Sequence, residues 1–322
     1  MGMKTIFVKK IIEHLFDKIS QTRSQKAFET ALLQEGCCQV KGLVGSGMSF
    51  KLVSAFKNLN RTFLVVLDNA EQAAYHLNDF EQMLSKKEVL FFPASFREAY
   101  IPGATDNANV LLRSEVLKKL SISKKKKIIV TYPQALFEKV ISPHTLKRKT
   151  LAIKKGDVLG LDFVNETLFE YGFDRVNFVT QPGEFSVRGG IIDVFSFAHQ
   201  HPFRIEFFDD EIESLRSFDV NTQLSISPMD RIDLLPNTSE VSFSEKRNSL
   251  IDSLPRNSTV VFNQLDHCLD CIDKFGVKAS KKFESLKTKA QYPPKVLFMS
   301  SQELLERLEK QSTVLINNSD RF

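Results

Sequence analysis

Residues 181–219, QPGEFSVRGGIIDVFSFAHQHPFRIEFFDDEIESLRSFD, decide the fold of the middle of the chain. The pair Pro182 and Gly183 opens the stretch, and residues 185–195 are rich in β-branched and aromatic side chains. The loop SFAHQHP then interrupts the pattern, and FRIEFF turns through the acidic tip DDE into IESLRSF. The stretch therefore predicts an antiparallel meander of three strands joined by two turns.

The two-residue period of a strand divides the segment FRIEFF between two faces. Phe203, Ile205 and Phe207 share one face, which can join a hydrophobic core. The other face carries an arginine, a carboxylate and an aromatic ring side by side, a composition typical of an interface patch. The residues of this second face are Arg204, Glu206 and Phe208.

Length and composition set broad limits. The chain has 322 residues, of which 42% are hydrophobic and 26% charged, so it has room for two or three globular domains. Its formal net charge of +5 permits contact with nucleic acid or an acidic partner without favouring either. No apolar run approaches the roughly 18 residues of a membrane span, and the N-terminal segment lacks an uninterrupted apolar core. We therefore expect a cytoplasmic protein.

The cysteines and histidines do not form a complete metal site in the sequence. Two of the four cysteines are adjacent, and the other two stand in DHCLDC, which imitates a zinc half-site without a second half. Two histidines in AHQHPF could hold a metal, but a polar loop is the simpler interpretation. We expect no metal and no cofactor. These residues are Cys37, Cys38, Cys268, Cys271, His267, His199 and His201.

A strand, a glycine-rich turn and a helix follow one another in CQVKGLVGSGMSFKLVSAF, the order of a phosphate-binding loop. A methionine occupies the place of the lysine that reaches the transferred phosphate, so we expect hydrolysis to be lost. The turn would then be kept for its strand-to-helix geometry. Residual binding of a nucleotide or anion by backbone amides is the alternative. The loop residues are Gly42, Gly45, Ser46, Gly47, Met48 and Ser49.

Strands and helices alternate on both sides of the meander, which indicates an α/β domain on a parallel sheet. We predict a degenerate, helicase-like P-loop domain that is interrupted by an inserted α+β domain with the antiparallel meander. Within it, we predict a helix over residues 133–140 and a strand over 295–300. The predicted boundaries are 1–142 for the first part of the α/β domain, 143–235 for the insertion and 236–322 for the second part.

A run of four lysines at residues 124–127 leads into the apolar strand segment IIV. A solubilising loop that protects a sticky strand is the simpler interpretation. Direct binding of DNA is the alternative, with Lys147, Arg148 and Lys149 as further contacts to phosphates.

The segments PGEFSVRGGIIDVF and FRIEFFDDEIESLRSFD resemble the second domain that the nucleotide excision repair protein UvrB shares with the N-terminal part of the bacterial transcription-repair coupling factor (Mfd). The order of the surrounding signals also agrees, from the degenerate loop through FFP and VTYPQAL to IDLLP at residues 232–236. Met48 separates the two relatives, because UvrB keeps its P-loop lysine whereas the coupling factor's module has lost the motif. The chain therefore resembles the coupling-factor family.

This resemblance implies a non-catalytic module that imitates UvrB and recruits UvrA, the damage-recognition ATPase, for transcription-coupled repair. Coupling factors contact UvrA through two arginines sixteen residues apart and a phenylalanine four residues beyond the second. Arg188, Arg204 and Phe208 stand at those spacings, and Glu206 lies on the same strand face. The arginines would pair with partner carboxylates while the ring fills a pocket.

Structural roles for the same arginines are the alternative. Arg188 could brace the turn at Gly189 and Gly190, and Arg204 could pair with Glu206 or with a cross-strand acid such as Glu213.

The resemblance also implies a longer protein, since full-length coupling factors are ATP-dependent DNA translocases that bind RNA polymerase and double-stranded DNA. Nothing in this sequence matches helicase motifs, so we expect an N-terminal fragment without enzymatic activity of its own. The alternative function is an active P-loop ATPase or helicase fragment of the UvrB type, in which another lysine serves.

Overall fold

The computed structural model describes residues 3–34, 36–101, 105–123, 125–197, 199–237, 246–286 and 292–317, with side chains from residue 12 onward. Two six-stranded sheets organise this part of the chain, and helices pack against them. None of the described helices is both long and apolar enough to cross a membrane.

Eleven α-helices lie within the described residues, and the longest of them lies near the C-terminal end. They are α1 Met3–Ser20, α2 Arg23–Leu33, α3 Gly47–Asn58, α4 Ala70–Met83, α5 Asn107–Ile122, α6 Pro133–Phe137, α7 Pro143–Arg148, α8 Leu161–Glu170, α9 Leu265–Ser285, α10 Pro294–Leu297 and α11 Ser301–Leu308.

Sixteen strands lie within the same described ranges. They are β1 Cys37–Val40, β2 Thr62–Val66, β3 Val89–Phe91, β4 Ile128–Thr131, β5 Val140–Ile141, β6 Leu151–Lys154, β7 Asp174–Arg175, β8 Glu184–Arg188, β9 Ile191–Val194, β10 Phe203–Phe208, β11 Glu211–Phe218, β12 Ser225–Pro228, β13 Arg231–Leu234, β14 Arg247–Asn248, β15 Ser258–Phe262 and β16 Ser312–Ile316.

The first sheet is parallel and has the order β1-β16-β15-β2-β4-β3. Strands β2, β4 and β15 are buried along their whole length, as expected for a parallel sheet with helices on both faces. Strands β15 and β16 follow the second sheet in the chain but return to lie between β1 and β2. The prediction of a helicase-like α/β fold with an inserted domain is confirmed. The predicted boundary positions stay predictions.

The second sheet has the order β12-β11-β10-β9-β8-β7, and all its pairs are antiparallel except the short pair of β7 with β8. The predicted three strands are wrong in number, because residues 184–218 form four. Residues 185–195 are split by a two-residue turn, where Gly189 takes a φ of +58° that lets the chain reverse. The acidic tip forms the next hairpin, with Asp209 at a φ of +52°.

One face of the second sheet carries the core of the insertion. Phe203 and Ile205 of β10 are buried there with Phe185 and Ile192, and Val164 of α8 packs against them. Among the described residues, the opposite face carries a small apolar cluster, whose buried members are Val179, Phe195 and Phe218. The predicted division of β10 between a core face and a polar face is therefore present in the structure.

One of the predicted elements is wrong in length and another is wrong in type. The helix that begins at Pro133 ends at Phe137, and Val140 and Ile141 form β5, which pairs with β14. Residues 295–300 were expected as a strand, but a short helix starts at Pro294, where a proline is favoured because its missing N–H would be unpaired anyway. Phe298 then stacks on Phe137 with ring centroids 4.5 Å apart, which fixes this segment against α6.

Helix α5 connects the first sheet to the insertion. Its Val110 is fully buried in the core of the second sheet. Near its other end, Lys118 Nζ lies 3.1 Å from Asp233 Oδ2 on β13. The packing of the insertion thus depends in part on a helix of the parallel-sheet domain.

Candidate partner-binding surface

Strands β8 to β11 place five charged side chains on the open face of the second sheet. Asp193 is paired with Ser186 on one side and with Arg204 on the other, and Arg204 is paired with Arg216. Glu206 follows Arg204 by two residues on β10 and lies on the same face, because side chains two residues apart on a strand point the same way. We call Arg188, Asp193, Arg204, Glu206, Phe208 and Arg216 the open-face patch.

Asp193 holds both predicted arginines. Arg204 donates from Nε to Oδ1 at 2.6 Å and from Nη2 to Oδ2 at 2.9 Å, a bidentate pair. Arg188 donates from Nη2 to the same Oδ2. The carboxylate is 2% exposed, whereas the side chain of Arg188 is 43% exposed. The predicted structural alternative for Arg204, a pair with an acid across the sheet, is therefore present, with Asp193 in place of Glu213 as the partner.

This arrangement fixes the charge and the direction of Arg204. The hydrogen bond to Asp193 raises the pKa of the Arg204 guanidinium above its ordinary value. The guanidinium also lies 4.9 Å from the centre of the Phe218 ring. Held on two sides, the side chain loses little further conformational entropy when a partner binds.

Glu206 is paired within the patch. Its carboxylate accepts hydrogen bonds from Arg216 Nη1 at 2.8 Å, from Arg216 Nη2 and from the Ser214 hydroxyl. The bond from Ser214 and then those from Arg216 lower the pKa of the Glu206 carboxyl. Glu206 therefore orients Arg216, a residue that the sequence analysis missed because it is paired only once the register of β10 and β11 is known.

Two phenylalanine rings border the patch. Phe208, at the end of β10, is 68% exposed, which is unusual for so large an apolar side chain. Phe178 is 61% exposed, and the Arg188 guanidinium lies 5.2 Å from the centre of its ring. Phe178 was missed because it belongs to no periodic segment. The open face thus combines fixed cations with exposed aromatic rings, as in the centres of protein interfaces.

The glycine-rich loop between β1 and α3 has the backbone geometry that its glycines predict. Gly42 and Gly45 have φ values of +79° and +53°. Gly47 starts α3 and donates its N–H to the carbonyl oxygen of Val44 at 3.1 Å. The loop therefore makes a tight turn from strand to helix.

The side chains of the loop are occupied by contacts within the protein. Met48 is 3% exposed and belongs to the main core. The Ser49 hydroxyl is fully buried and lies 2.8 Å from His76 Nδ1, and the Ser46 hydroxyl lies 2.9 Å from that of Tyr75. Burial lowers the pKa of His76. The hydroxyl at the position of a magnesium ligand is thus bonded to an imidazole.

A cavity of about 370 Å³ lies beside this loop. Neither lysine nor arginine lines it, so a phosphate placed there would find no fixed cation among the lining residues. These are Leu43, Val44, Gly45, Met48, Gln72, Tyr75, His76, Asn263 and Asn317.

Two of the predicted DNA-binding lysines have structural contacts. Lys126 donates to the carbonyl oxygens of Phe56 and of Leu59, the latter at 2.9 Å, at the C-terminal end of α3. Lys127 is buried and donates to the carbonyl oxygen of Lys87 at 2.7 Å. Burial lowers the pKa of both ammonium groups. Lys124 lies outside the described residues.

Three further positions of that prediction are in or next to the end of a helix. Lys147 and Arg148 form the last turn of α7, where cations complement the helix dipole, and Lys149 follows as its C-cap.

The predicted half-site DHCLDC forms the start of α9. Cys268 is buried, which raises the pKa of its thiol, while Cys271 Sγ lies 3.5 Å from His267 Nε2. The structure contains no group of three or more metal-ligating side chains within the described ranges.

Comparison with known proteins identifies the unit that carries the open face. Residues 151–239 match the family model of the UvrB interaction domain. These residues are therefore similar to the UvrB interaction domain. The match covers the whole second sheet and both strands of the small sheet formed by β6 and β13.

The chain is also similar to transcription-repair-coupling factors and to UvrABC system protein B. The chain is 32% identical over 198 residues to the transcription-repair-coupling factor of Haemophilus influenzae, covering 62% of this chain and 17% of that protein. It is 30% identical over 197 residues to the coupling factor of Bacillus subtilis, with coverage of 61% and 16%. UvrABC system protein B of Thermotoga neapolitana is 25% identical over 224 residues, with coverage of 66% and 34%.

These matches confirm the resemblance to coupling factors and to UvrB. The chain spans only a small part of the length of the relatives that it matches.

Proposed function

We propose that this chain is a UvrB-like module of a transcription-repair coupling factor, which recruits UvrA to nucleotide excision repair through the open-face patch of its UvrB interaction domain. One observation carries the proposal: Asp193 fixes both Arg188 and Arg204 on the open face that Phe208 borders. Two oriented guanidinium groups suit carboxylates on a partner, and the exposed ring suits an apolar pocket.

The pairing of the arginines with Asp193 is compatible with docking. Arg188 is half-exposed, so one side of its guanidinium is available to a partner while the other side stays on Asp193. A guanidinium has five N–H donors, of which Arg204 uses two on this carboxylate. The buried anion thus holds the cations in place without using all their donors.

The proposal includes the absence of catalysis. It is supported by the burial of Met48 at the lysine position, by the contact of the Ser49 hydroxyl with His76, and by a cavity without lysine or arginine in its lining. In a longer coupling factor, RNA polymerase and double-stranded DNA would be the partners of other regions. We place this recruitment in the cytoplasm, where the repair of DNA by such a module would take place.

The test is a calorimetric titration of the 322-residue chain with purified UvrA, run beside the Phe208→Ala variant. Because Phe208 is mostly exposed, its removal should leave the fold intact. We expect wild-type binding and a loss of about 2 kcal/mol, near thirtyfold in affinity, for the variant. Absence of wild-type binding would disprove the docking function.

Phe163→Ala is the matched control. Phe163 lies on α8, which packs on the opposite face of the sheet, and it is 49% exposed. The same change of side chain there should leave the affinity for UvrA within about threefold of the wild type, because exposed substitutions away from an interface have small effects.

The catalytic part of the proposal is tested by phosphate release in the presence of ATP and magnesium. We expect no release above a buffer blank. Release that depends on magnesium and is lost in Ser49→Ala would instead establish the alternative, an active P-loop ATPase.

A further inference from the structure

The outer edge of β8 is only partly covered. Strand β7 pairs with Glu184 and Phe185 and then ends, so it leaves residues 186–188 without a neighbouring strand on that side among the described residues. The chain after β7 moves away from this edge, although the Ser186 hydroxyl donates to the carbonyl oxygen of Asn177 at 3.0 Å and the backbone N–H groups of Thr180 and Gln181 donate to the Glu184 carboxylate. An open strand edge of this kind can accept another strand.

The hydrogen-bond pattern shows which backbone groups face outward. The carbonyl of Glu184 accepts from Phe195 on the inner side, and that of Phe185 accepts from Val176 at 2.8 Å on the outer side. The backbone N–H and C=O groups of successive residues in a strand point to opposite sides. Those of Ser186 therefore point towards β9, and those of Val187 point towards the open edge. The N–H and the C=O of Val187 are thus the next outward pair after those of Phe185.

A groove of about 460 Å³ lies in front of this edge. Its walls are residues 175–178 on one side and residues 186–188 on the other, and no acidic side chain lines it. Arg175 is exposed and forms no ion pair with another described residue, and Arg188 stands at the opposite wall. Phe178 supplies an apolar surface next to Arg188.

The groove is continuous with the open-face patch. Arg188 belongs to both, since its guanidinium contacts Asp193 on the open face and the Phe178 ring at the groove. A partner that covers the open-face patch therefore also lies beside the groove.

We propose that the groove binds an extended acidic segment of the docking partner, which adds as a strand to the outer edge of β8. This inference rests on the proposed docking function. The backbone of the segment accepts a hydrogen bond from the N–H of Val187 and donates one to the C=O of Val187. The carboxylates of the segment face Arg175 and Arg188. An apolar side chain of the segment packs on Phe178. At about 3.3 Å per residue, three residues of the segment would span the open edge formed by residues 186–188.

A peptide strand fits these groups better than a nucleic-acid strand does. The outward pair of Val187 offers one donor and one acceptor at the spacing of a peptide backbone, which is the basis of strand addition. The phosphates of a nucleic acid only accept hydrogen bonds, so they would leave the carbonyl of Val187 unpaired.

The first experiment substitutes Val187 in the full 322-residue chain and measures the affinity for UvrA. Val187→Pro removes the outward N–H but no bond to β9, and proline is tolerated where the N–H of an edge strand faces solvent. Val187→Ala keeps that N–H and is the control. We expect at least a tenfold loss of affinity for Val187→Pro relative to Val187→Ala.

The second arm reverses one charge at the groove. Arg175→Glu should weaken UvrA binding tenfold or more. Lys155→Glu is the control, because Lys155 is exposed, lies outside the groove and gives the same change in net charge. This control variant should bind UvrA as tightly as the wild type does. The third readout is hydrogen exchange of the Val187 amide, which should slow when UvrA binds.

The outcomes separate the groove from the docking function. If the wild type binds UvrA through Phe208 but Arg175→Glu binds normally and the Val187 amide exchanges unchanged, the groove inference is overturned and docking stands. If the wild type does not bind UvrA, both fall. Should circular dichroism show that Val187→Pro is unfolded, the charge reversal and the amide exchange decide.

Discussion

Arg204 and Asp193 form a bidentate ion pair across β9 and β10, with Nε–Oδ1 and Nη2–Oδ2 distances of 2.6 and 2.9 Å. Asp193 is almost fully buried, so this carboxylate depends on arginine for the interactions that water would otherwise supply. The same pair that would orient a docking residue therefore also stabilises the fold, and an experiment must separate the two effects.

Arg204→Ala should lower the free energy of unfolding by about 2 kcal/mol or more, because it leaves a buried carboxylate with only part of its partners. Arg188→Ala should cost less, since Arg188 is half-exposed and Asp193 keeps the bidentate pair with Arg204. Urea denaturation of both variants, beside Phe208→Ala, measures the difference. Equal losses for Arg204→Ala and Phe208→Ala would contradict a structural role for the pair.

This prediction also changes how docking data must be interpreted. A loss of UvrA binding in Arg204→Ala can arise from a disturbed sheet, whereas the same loss in Phe208→Ala cannot arise from a missing buried contact, because that ring is mostly exposed.

Local patterns were sufficient to predict part of this surface. The alternation along FRIEFF places Arg204 and Glu206 away from the core, and it does so because a strand's period of two is a local property. The pairing with Asp193 could not be predicted in the same way. It depends on the register of β9 and β10, which a loop of unpredictable shape connects, although an aspartate inside the apolar run IIDVF is a signal in itself.

Short elements were the least predictable part of the fold. Residues 295–300 are apolar enough for a strand, but their conformation is set by distant contacts, namely the stacking of Phe298 on Phe137 and a bond from the Met299 N–H to the carbonyl of Phe137 at 2.8 Å. Periodicity over so few residues cannot distinguish the two conformations.

Ser49 offers a test of the glycine-rich loop that does not depend on nucleotide. Ser49→Ala removes the partner of His76 Nδ1 in a buried site and should therefore lower the free energy of unfolding by about 1–3 kcal/mol. Ser46→Ala, at a less buried hydroxyl of the same loop, should cost less than about 1 kcal/mol. Urea denaturation checks both. If Ser49→Ala were as stable as the wild type, a structural role for this hydroxyl would be ruled out.

Gly183 precedes β8 and has a φ of +87°. A Cβ there would lie 2.6 Å from Cζ of Phe197, a fully buried ring of the insertion's core, so Gly183→Ala combines backbone strain with a steric clash. We expect a destabilisation of about 2–4 kcal/mol.

Gly189→Ala is the comparison, since Gly189 also has a positive φ but a Cβ there meets nothing within 4 Å. It should cost only the backbone strain, about 1 kcal/mol. Thermal unfolding of the two variants side by side would show whether the clash adds to the strain; similar melting temperatures would mean that the Phe197 ring moves aside without cost.

His199 makes the stability of the insertion depend on pH. Burial lowers the pKa of His199 to about 4, with the positive charge of Lys118 adding to the effect and Asp233 opposing it. Its Nε2 is buried without a hydrogen-bond partner among the described residues, and its ring packs edge-on against Phe203 at 4.7 Å. The unfolded chain, with an ordinary histidine pKa near 6.5, therefore binds a proton at a pH where the folded chain does not.

The direction of the pH dependence follows from this difference in pKa between the folded and the unfolded chain. The contribution of His199 to the free energy of unfolding is fully present above pH 6.5. It falls as the pH drops towards 4, because protonation then favours the unfolded state. Between pH 7 and pH 5 the free energy of unfolding should decrease by about 2 kcal/mol through this group. His199→Phe should remove most of that decrease, whereas His201→Phe, at the exposed histidine two residues further along, should keep it. Urea denaturation of the three proteins at both pH values measures the slope, and an unchanged slope in His199→Phe would show that other groups cause the dependence.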